Sequence, residues 1–562
     1  MPVGRFLLVT TTIGAIVGLV VTYPLVLHPA STVLDDGTLD AFQFVWNVWW
    51  VREALLSLHT NPFHTHYLFY PEGASLLFHT FSATLGLASV PFQLILPNGA
   101  VSAHNLLVIA APGLVVVTTA LLAREVTGDA WASVAAGLVA ALNVATMWFL
   151  PIIYLTCTYL VAAVLLAWWR LHRRRRLVDA VVVAVLLVAL LFASQEYAMM
   201  VLTLLGLDMG ARLLMPRLLG VPRAWLAGAV VAGGLAGVVF GALAVLASRN
   251  PAQPLRPDAL AFGSGFLTGF VRPPWLADSD RYRFSYTLYL GTVPLFLLAT
   301  TLPLGGARTR WWTLALVFVL LMACGPWVGL YHPVMGPPAG VTPLTSVQMP
   351  GPYLLLMQVF PLMRFVRAAY RWVMVAHLLA GVAVGIGLAG LRRRVASDGA
   401  RHAITAVALA AIVAGAALDL RNYAPTAIAA EVPPIFEVLA RDPQPSAVME
   451  LPVGLPTGGM ANLSSRYMFY QTHHRKFLME GTLARLPAGA LRLLSRHFKS
   501  LADVPYVKYV VIHRDLLDVS RSAALAQVAE VDALLATEGT LLRREGPLEL
   551  WETKTFRPEA VR

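Results

Sequence analysis

Eleven stretches of this chain run for about 20 residues with few charged side chains, near residues 6–27, 103–123, 131–150, 152–169, 177–194, 197–215, 224–247, 286–304, 311–330, 369–391 and 402–419. About 20 apolar residues is the length a helix needs to cross the hydrocarbon core of a bilayer. A chain that is 58% hydrophobic and 13% charged, with mean hydropathy +0.68, has too little polar surface to close up as soluble domains. These features predict a polytopic, mainly α-helical membrane protein with about eleven spans.

Arginine sets the expected orientation, because short cytoplasmic loops retain Lys and Arg. With the N-terminus inside, Arg5, Arg124, Arg170, the run Arg173 to Arg176, Arg212, Arg217, Arg223, Arg308, Arg310, Arg392 to Arg394 and Arg401 all fall on the cytoplasmic side. The first loop (residues 28–102), the regions 249–285 and 331–368, and everything after residue 420 then lie outside. The net charge of +12 is accounted for by this topogenic arginine, which argues against a nucleic-acid partner. Residues 79–97 are also uncharged. Counting them as a span would invert everything downstream and move the arginine runs outside, so they are read as an amphipathic or partly embedded segment on the outer face. Residues 1–28 resemble a retained signal anchor more than a cleaved peptide. Both cysteines, Cys157 and Cys324, fall inside expected spans, which predicts no disulfide framework.

The membrane domain is expected over 1–420, and the tail 421–562 reads as an extracytoplasmic α/β domain. The tail carries all four lysines, Lys476, Lys499, Lys508 and Lys554. Residues 446–452 (SAVMELP) and 506–513 (YVKYVVIH) read as buried strands, 522–538 as a helix and 540–552 as a terminal hairpin.

Three carboxylates, Asp35, Asp36 and Asp40, follow directly on the uncharged first stretch. Held at a membrane surface, where water still reaches them, they are well placed to take a proton or bind a cation. The structural role of such a cluster is to start an interfacial helix near 38–58, with Asp36 or Thr38 as its cap, and this is compatible with catalysis. Trp46, Trp49 and Trp50 would float that helix at headgroup depth or stack on sugar faces.

An ordered set of motifs resembles the GT-C superfamily of integral-membrane glycosyltransferases, and within it a bacterial branch. The set comprises Asp36-Gly-Thr-Leu-Asp40, Asn61-Pro-Phe, Phe69-Tyr-Pro-Glu-Gly73, Leu122-Ala-Arg-Glu-Val-Thr-Gly128, Ser194-Gln-Glu-Tyr197, Tyr289-Leu-Gly291, Arg367-Ala-Ala-Tyr-Arg371, Tyr467-Met-Phe-Tyr-Gln-Thr472 and Ala484-Arg-Leu-Pro487. The resemblance implies transfer of a sugar from a polyprenyl-phosphate donor to an extracytoplasmic acceptor, with a carboxylate of the first external loop as general base. The chemistry fits: phosphate is a good leaving group, so the enzyme needs a base near the nucleophile and cations around the departing phosphate. A single displacement would pass through an oxocarbenium-like transition state with inversion.

Asp36 takes the position of the family's acidic residue. Asp40, one helical turn later, is its helper or a metal ligand. Asp35 ranks third, because adjacent residues point apart. Arg364, Arg367 and Arg371 are the candidates for holding phosphate. Arg367 and Arg371 share a helical face, and guanidinium forks match phosphate oxygens. Snorkelling to lipid headgroups is their ordinary alternative, and the proline the family usually carries in this motif is absent, Ala369-Tyr370 standing there. Arg272, with Arg281 and Arg283, is a weaker candidate of the same kind. Glu196, beside Tyr197, is read as an acceptor-side or auxiliary residue, and His79 is grouped with them. His59, His64, His66 and His79 crowd the first loop, but their spacing fits no helix-borne zinc pattern. Whether a divalent cation, Mg2+ or Mn2+, takes part is left open, as is the acceptor, which is a lipid, glycan or protein.

The competing reading is a transporter or flippase, or a non-catalytic binding protein, for lipid-linked sugars. Transporters usually place polar groups at the bilayer midplane and carry repeats, whereas here the acidic groups lie outside the spans. The expected location is the plasma (inner) membrane, in contact with its lipids.

Overall fold

Each of the eleven apolar stretches contains a helix. Among the described residues, seven helices are long and apolar enough to cross a membrane: Val3–Val21, Gly99–Thr127, Ile153–Arg174, Gln195–Leu214, Trp225–Ala242, Ala369–Arg394 and Asp398–Leu420. The other four stretches hold the shorter apolar helices Ala130–Ala141, Leu177–Ala193, Thr292–Gly305 and Thr309–Ala323. The protein is a multi-pass membrane protein. Its computed structural model describes all residues except 36, 78, 216–222, 249–259, 262, 277–286, 334–347, 361–362, 364–365, 367, 422, 424–425, 454–461, 485–496, 518–521 and 562.

The chain forms two compact units, Met1–Val26 with Val108–Pro425, and Leu27–Leu107 with Thr426–Arg562. The first unit is the helical bundle. At its centre lies Trp372–Arg394, buried continuously from Trp372 to Gly390. Lipid tails are as apolar as leucine, so helices in a bilayer gain little by hiding leucines from them and associate through close packing of small residues. The central helix follows that rule: a Cβ at Gly381 would stand 2.4 Å from the carbonyl oxygen of Ala136 on Ala130–Ala141. The same contact recurs where Val3–Val21 crosses Gly99–Thr127, each of Gly14 and Gly113 touching the other's backbone. Carboxylates meet arginines at the arginine-rich end, as Asp129 does with Arg392 (2.8 Å) and Glu125 with Arg170 (3.4 Å).

The second unit is built on a five-stranded mixed sheet. Its order is Gly539–Glu545, Leu548–Thr553, Val507–His513, Ala447–Leu451, Phe477–Leu478, the first three antiparallel and the last two joined in parallel. Strand alternation separates two apolar faces. Met449, Leu451, Val510 and Ile512 pack with Val528, Val531 and Leu535 of the helix Ser522–Glu538. Val448, Val511 and Leu550 pack with Tyr467 and Tyr470 of the helix Leu463–His474. These strands, the helix and the hairpin fall where the patterning of the tail predicts them.

The first loop differs from expectation. The sequence reading attaches residues 28–102 to the membrane domain, whereas Leu27–Leu107 shares a unit with the tail. The strand Thr32–Asp35 pairs antiparallel with Thr426–Ala429, Asp35 opposite Thr426. The helix Asp40–Arg52 is buried continuously from Ala41 to Val51. This corrects the reading of its tryptophans, which were expected at headgroup depth or on a sugar. Trp46, Trp49 and Trp50 are at most 2% exposed, and Trp46 donates to Gln471 Oε1 at 2.7 Å. Large aromatics bury more apolar area inside a mixed core than a headgroup layer covers, and Phe42 stacking on Phe469 at 4.9 Å completes that core. The segment 79–97 contains the apolar helix Ala83–Ile95, which buries Leu85, Ser89 and Gln93 and exposes Leu87, Phe92, Leu94 and Ile95.

Candidate functional site

In the second unit, the acidic turn joins the strand Thr32–Asp35 to the helix Asp40–Arg52. Asp36 lies outside the described residues. Asp35 is buried and holds the turn: its Oδ2 accepts from the Gly37 N–H at 2.8 Å and its Oδ1 from the Leu39 N–H at 2.9 Å. This lets Leu39 take a left-handed conformation (φ 65°) and start the helix one residue later. Asp40 is the first helical residue, half-buried, and its Oδ1 accepts from Asn462 Nδ2 at 3.0 Å. Asn462 in turn accepts from Thr482 Oγ1 at 2.5 Å and donates its backbone N–H to the carbonyl of Thr38 at 2.6 Å. Asn462 precedes the helix Leu463–His474, so two helix N-termini meet at Asp40, an arrangement that favours negative charge.

Asn462 and Thr482 were not among the sequence candidates. An Asn before an apolar helical run reads as an N-cap, but its side chain makes no capping bond and is directed to Asp40 instead.

His79 is fully buried beside the same helix. The Ala484 N–H donates to its Nδ1 at 3.0 Å, and its Nε2 lies 2.9 Å from the Gln43 amide nitrogen, which also donates to Thr80 Oγ1 at 3.0 Å. Burial lowers the His79 pKa to about 3, leaving it neutral. His79 thus ties the helix to residue 484. The Phe69 to Gly73 motif is likewise a packing element: Tyr70 stacks on Phe477 at 4.6 Å. Among the described residues no group of three or more His, Cys, Asp or Glu is arranged to hold a metal ion.

In the bundle, two candidates from distant parts of the sequence come together. Glu196 lies in the first turn of Gln195–Leu214, and Arg371 closes the short 3-10 turn Ala369–Arg371. Arg371 Nη1 meets Glu196 Oε1 at 2.8 Å, with both side chains less than a fifth exposed. The guanidinium also lies over the Tyr154 ring at 5.7 Å. Each partner keeps an unused edge: Glu196 Oε2 and Arg371 Nε have no hydrogen-bond partner among the described residues. Tyr197 is fully buried and donates to the Leu155 carbonyl at 2.6 Å, which makes it a brace for this corner. Arg272 is half-buried after the turn Leu267–Phe270. Arg364, Arg367, Arg281 and Arg283 lie outside the described residues. The Tyr289-Leu-Gly291 motif ends a loop: Gly291 adopts φ +100°, and Asp419 accepts from the next residue, Thr292, through its N–H (2.9 Å) and hydroxyl (2.7 Å).

No protein-family model matches the sequence, and no curated protein does. Solved structures do. The arabinofuranosyltransferase AftD from Mycobacteria is similar over 99% of this chain, at 15% identity and a TM-score of 0.54. This chain spans 42% of the AftD chain. The oligosaccharyltransferase AglB from Archaeoglobus fulgidus, solved with an inhibitory peptide and a dolichol-phosphate, is similar over 95% of this chain and 72% of its own. Its identity is 12% and its TM-score 0.45. The apo form of the Archaeoglobus enzyme gives 11% and 0.48. At such identities the likeness is one of fold, and AftD carries it. What the two have in common is the architecture over nearly the whole of this chain, which here is a helical bundle with a C-terminal sheet.

Proposed function

We propose that this protein is a glycosyltransferase of the plasma (inner) membrane that moves a sugar from a polyprenyl-phosphate donor to an extracytoplasmic lipid, glycan or protein acceptor. The observation that carries the reading is the acidic turn 35–40 following the first apolar helix in a GT-C fold. In this reading Asp36 is the general base that takes the acceptor hydroxyl proton as the sugar's C1–O bond to phosphate breaks, with inversion at C1. Asp40, oriented by Asn462, supports it electrostatically or as a ligand to a divalent cation. Asp35 keeps the turn in shape, a positioning role.

The departing phosphate needs cationic donors. Arg371 is the described candidate, and its unused Nε is a donor for a phosphate oxygen, while the unused Oε2 of Glu196 is an acceptor for a hydroxyl. Arg367, of the same motif, and Arg364 share this assignment, with Arg272 as a weaker member. Tyr197 and His79 have supporting roles.

The Glu196 partner also favours a second reading. A guanidinium already neutralised at 2.8 Å holds a phosphate less tightly than a free one, which suits a protein that binds a lipid-linked sugar without turning it over. One experiment separates the two. Full-length protein and its Asp36→Asn and Arg371→Gln variants, reconstituted in vesicles, are exposed to a panel of radiolabelled polyprenyl-phosphate sugars. Transfer predicts consumption of one donor by the parent, a loss of about 10²–10⁴-fold for Asp36→Asn, and weaker donor binding for Arg371→Gln. Donor binding with no consumption by the parent would establish the binding protein instead.

A further inference from the structure

At the arginine-rich end of the bundle, the helices Thr158–Arg174, Gln195–Leu214 and Ala307–Ala323 line a cavity that the sugar-transfer reading does not use. Trp168, Trp169, Trp311 and Trp312 line it, together with the Asp208–Arg212 pair. Asp208 is well supplied with donors: Trp168 Nε1 lies 2.8 Å from Oδ2, and Arg212 Nε lies 3.1 Å from each oxygen. Two of the other indoles are not supplied with acceptors. Trp169 Nε1 and Trp312 Nε1 are buried and have no hydrogen-bond partner among the described residues, and Trp312 is only 5% exposed. An indole N–H can only donate, and a buried donor without an acceptor is costly. The two rings stand 5.7 Å apart, so both donors come from one aromatic pair on the cavity wall.

The charge beside the cavity is a second, independent observation. Arg170, Arg173 and Arg174, at the end of the helix that carries Trp168 and Trp169, all converge on the single carboxylate of Glu125. Arg175 and Arg176 follow, both exposed. This end of the bundle therefore holds an excess of positive charge, of the kind that attracts anionic headgroups.

We propose that this cavity binds the headgroup of one anionic phospholipid. Its phosphodiester oxygens accept from Trp169 and Trp312, its first methylenes lie on leucines of the lining such as Leu165 and Leu204, and its charge faces the arginine cluster. A neutral zwitterionic lipid offers the same oxygens but no net charge to the arginines, so the site is selective.

The test uses the full-length protein, purified in detergent and washed free of native lipid. It is titrated with phosphatidylglycerol or phosphatidylcholine in mixed micelles, with bound lipid counted by native mass spectrometry. The parent is expected to bind phosphatidylglycerol about tenfold more tightly, the equivalent of about 1.4 kcal/mol. A Trp169→Phe/Trp312→Phe double variant keeps the rings and loses the donors, and is expected to lose that preference. Equal binding of the two lipids by the parent overturns the proposal, and this result needs no variant to fold. Retention of the preference by a double variant that melts at the parent's temperature overturns the role of the indoles. Displacement of phosphatidylglycerol by millimolar inorganic phosphate overturns the lipid in favour of a small-anion site.

Discussion

The two units solve the packing problem with opposite materials. The bundle is held by small residues: its central helix sets Gly381 against the backbone of Ala130–Ala141 and buries almost its whole length in this way. The second unit is held by aromatic bulk, with Trp46 and Trp50 stacked at 5.6 Å and Phe42 on Phe469 at 4.9 Å. The difference follows from the solvent. In lipid, apolar area gains nothing by leaving the surroundings, and close backbone approach supplies dispersion contacts instead. In water, removal of apolar area is the main driving force, and the largest side chains contribute most.

The handling of charge differs in one respect. In the bundle, carboxylates pair with arginines, as Glu196 does with Arg371 and Asp208 with Arg212. The second unit has such pairs too, as Arg514 with Asp532 and Glu549, and in addition buries a histidine against a carboxyl group. His513 Nε2 and Glu450 Oε2 lie 2.8 Å apart, both nearly inaccessible. Burial lowers the His513 pKa to about 3 and raises that of Glu450 well above the usual carboxylate range, both shifts favouring the neutral forms.

The contrast can be broken at its strongest point first. Gly381→Leu places a side chain where a Cβ already meets a carbonyl oxygen at 2.4 Å. We expect loss of the folded bundle, read as aggregation in size-exclusion chromatography, while Gly4→Leu, with nothing within 4 Å, elutes as the parent. An unaltered Gly381→Leu profile would mean that the central helix is not packed through its backbone.

Acid acts next, and on the second unit. Burial lowers His79, His474 and His513 from 6.5 to about 3 in the folded state. A base with a depressed folded pKa contributes stability that is present above its unfolded pKa and is lost as pH falls. The loss should therefore begin near pH 6.5 and continue toward pH 3, reaching about 2 kcal/mol for each imidazole by pH 5. Hydrogen exchange of residues 447–451 and 507–513 against pH reads this directly. Flat protection between pH 7 and 5 would show that these imidazoles are not held neutral.

Trp46→Ala should cost the second unit about 3–5 kcal/mol, because it removes a fully buried indole and leaves Gln471 Oε1 without its donor. Tryptophan at headgroup depth would instead give a change of a few tenths of a kcal/mol at most, measured as a shift in chemical denaturation. The smallest effect belongs to Glu450→Gln. A carboxyl whose folded pKa is raised loses stability as pH rises through its unfolded value near 4.5, so the amide variant should equal or exceed the parent at pH 7. That difference should close as pH falls below about 4.5. Destabilisation by about 3 kcal/mol or more at pH 7 would mean a buried ion pair in place of a neutral one.

Much of the bundle could be read from the sequence because its signal is local. A run of about 20 apolar residues specifies a helix through backbone hydrogen bonding alone, and each of the eleven stretches holds one. The strands of the tail were legible through alternation and β-branched residues for the same reason. The first loop was not. Its tryptophans suit a headgroup layer as well as a core, and only pairing of Thr32–Asp35 with Thr426–Ala429, almost 400 residues away, distinguishes the two. The candidate residues divide in the same way. The acidic turn was conspicuous because charge follows directly on an apolar run, whereas Asn462 carries no local signal of its contact with Asp40, and no pattern joins Glu196 to Arg371 across the chain.

The sequence by itself determined which segments form apolar helices and which form the tail's sheet, since hydropathy and period act over tens of residues. Only the tertiary structure decided that Arg371 is neutralised by Glu196, that Asp40 faces Asn462, and that the tryptophans of the first loop lie inside a core. Those outcomes depend on which distant surfaces meet, and hydrogen bonds and ion pairs act over a few ångströms that composition and spacing do not encode.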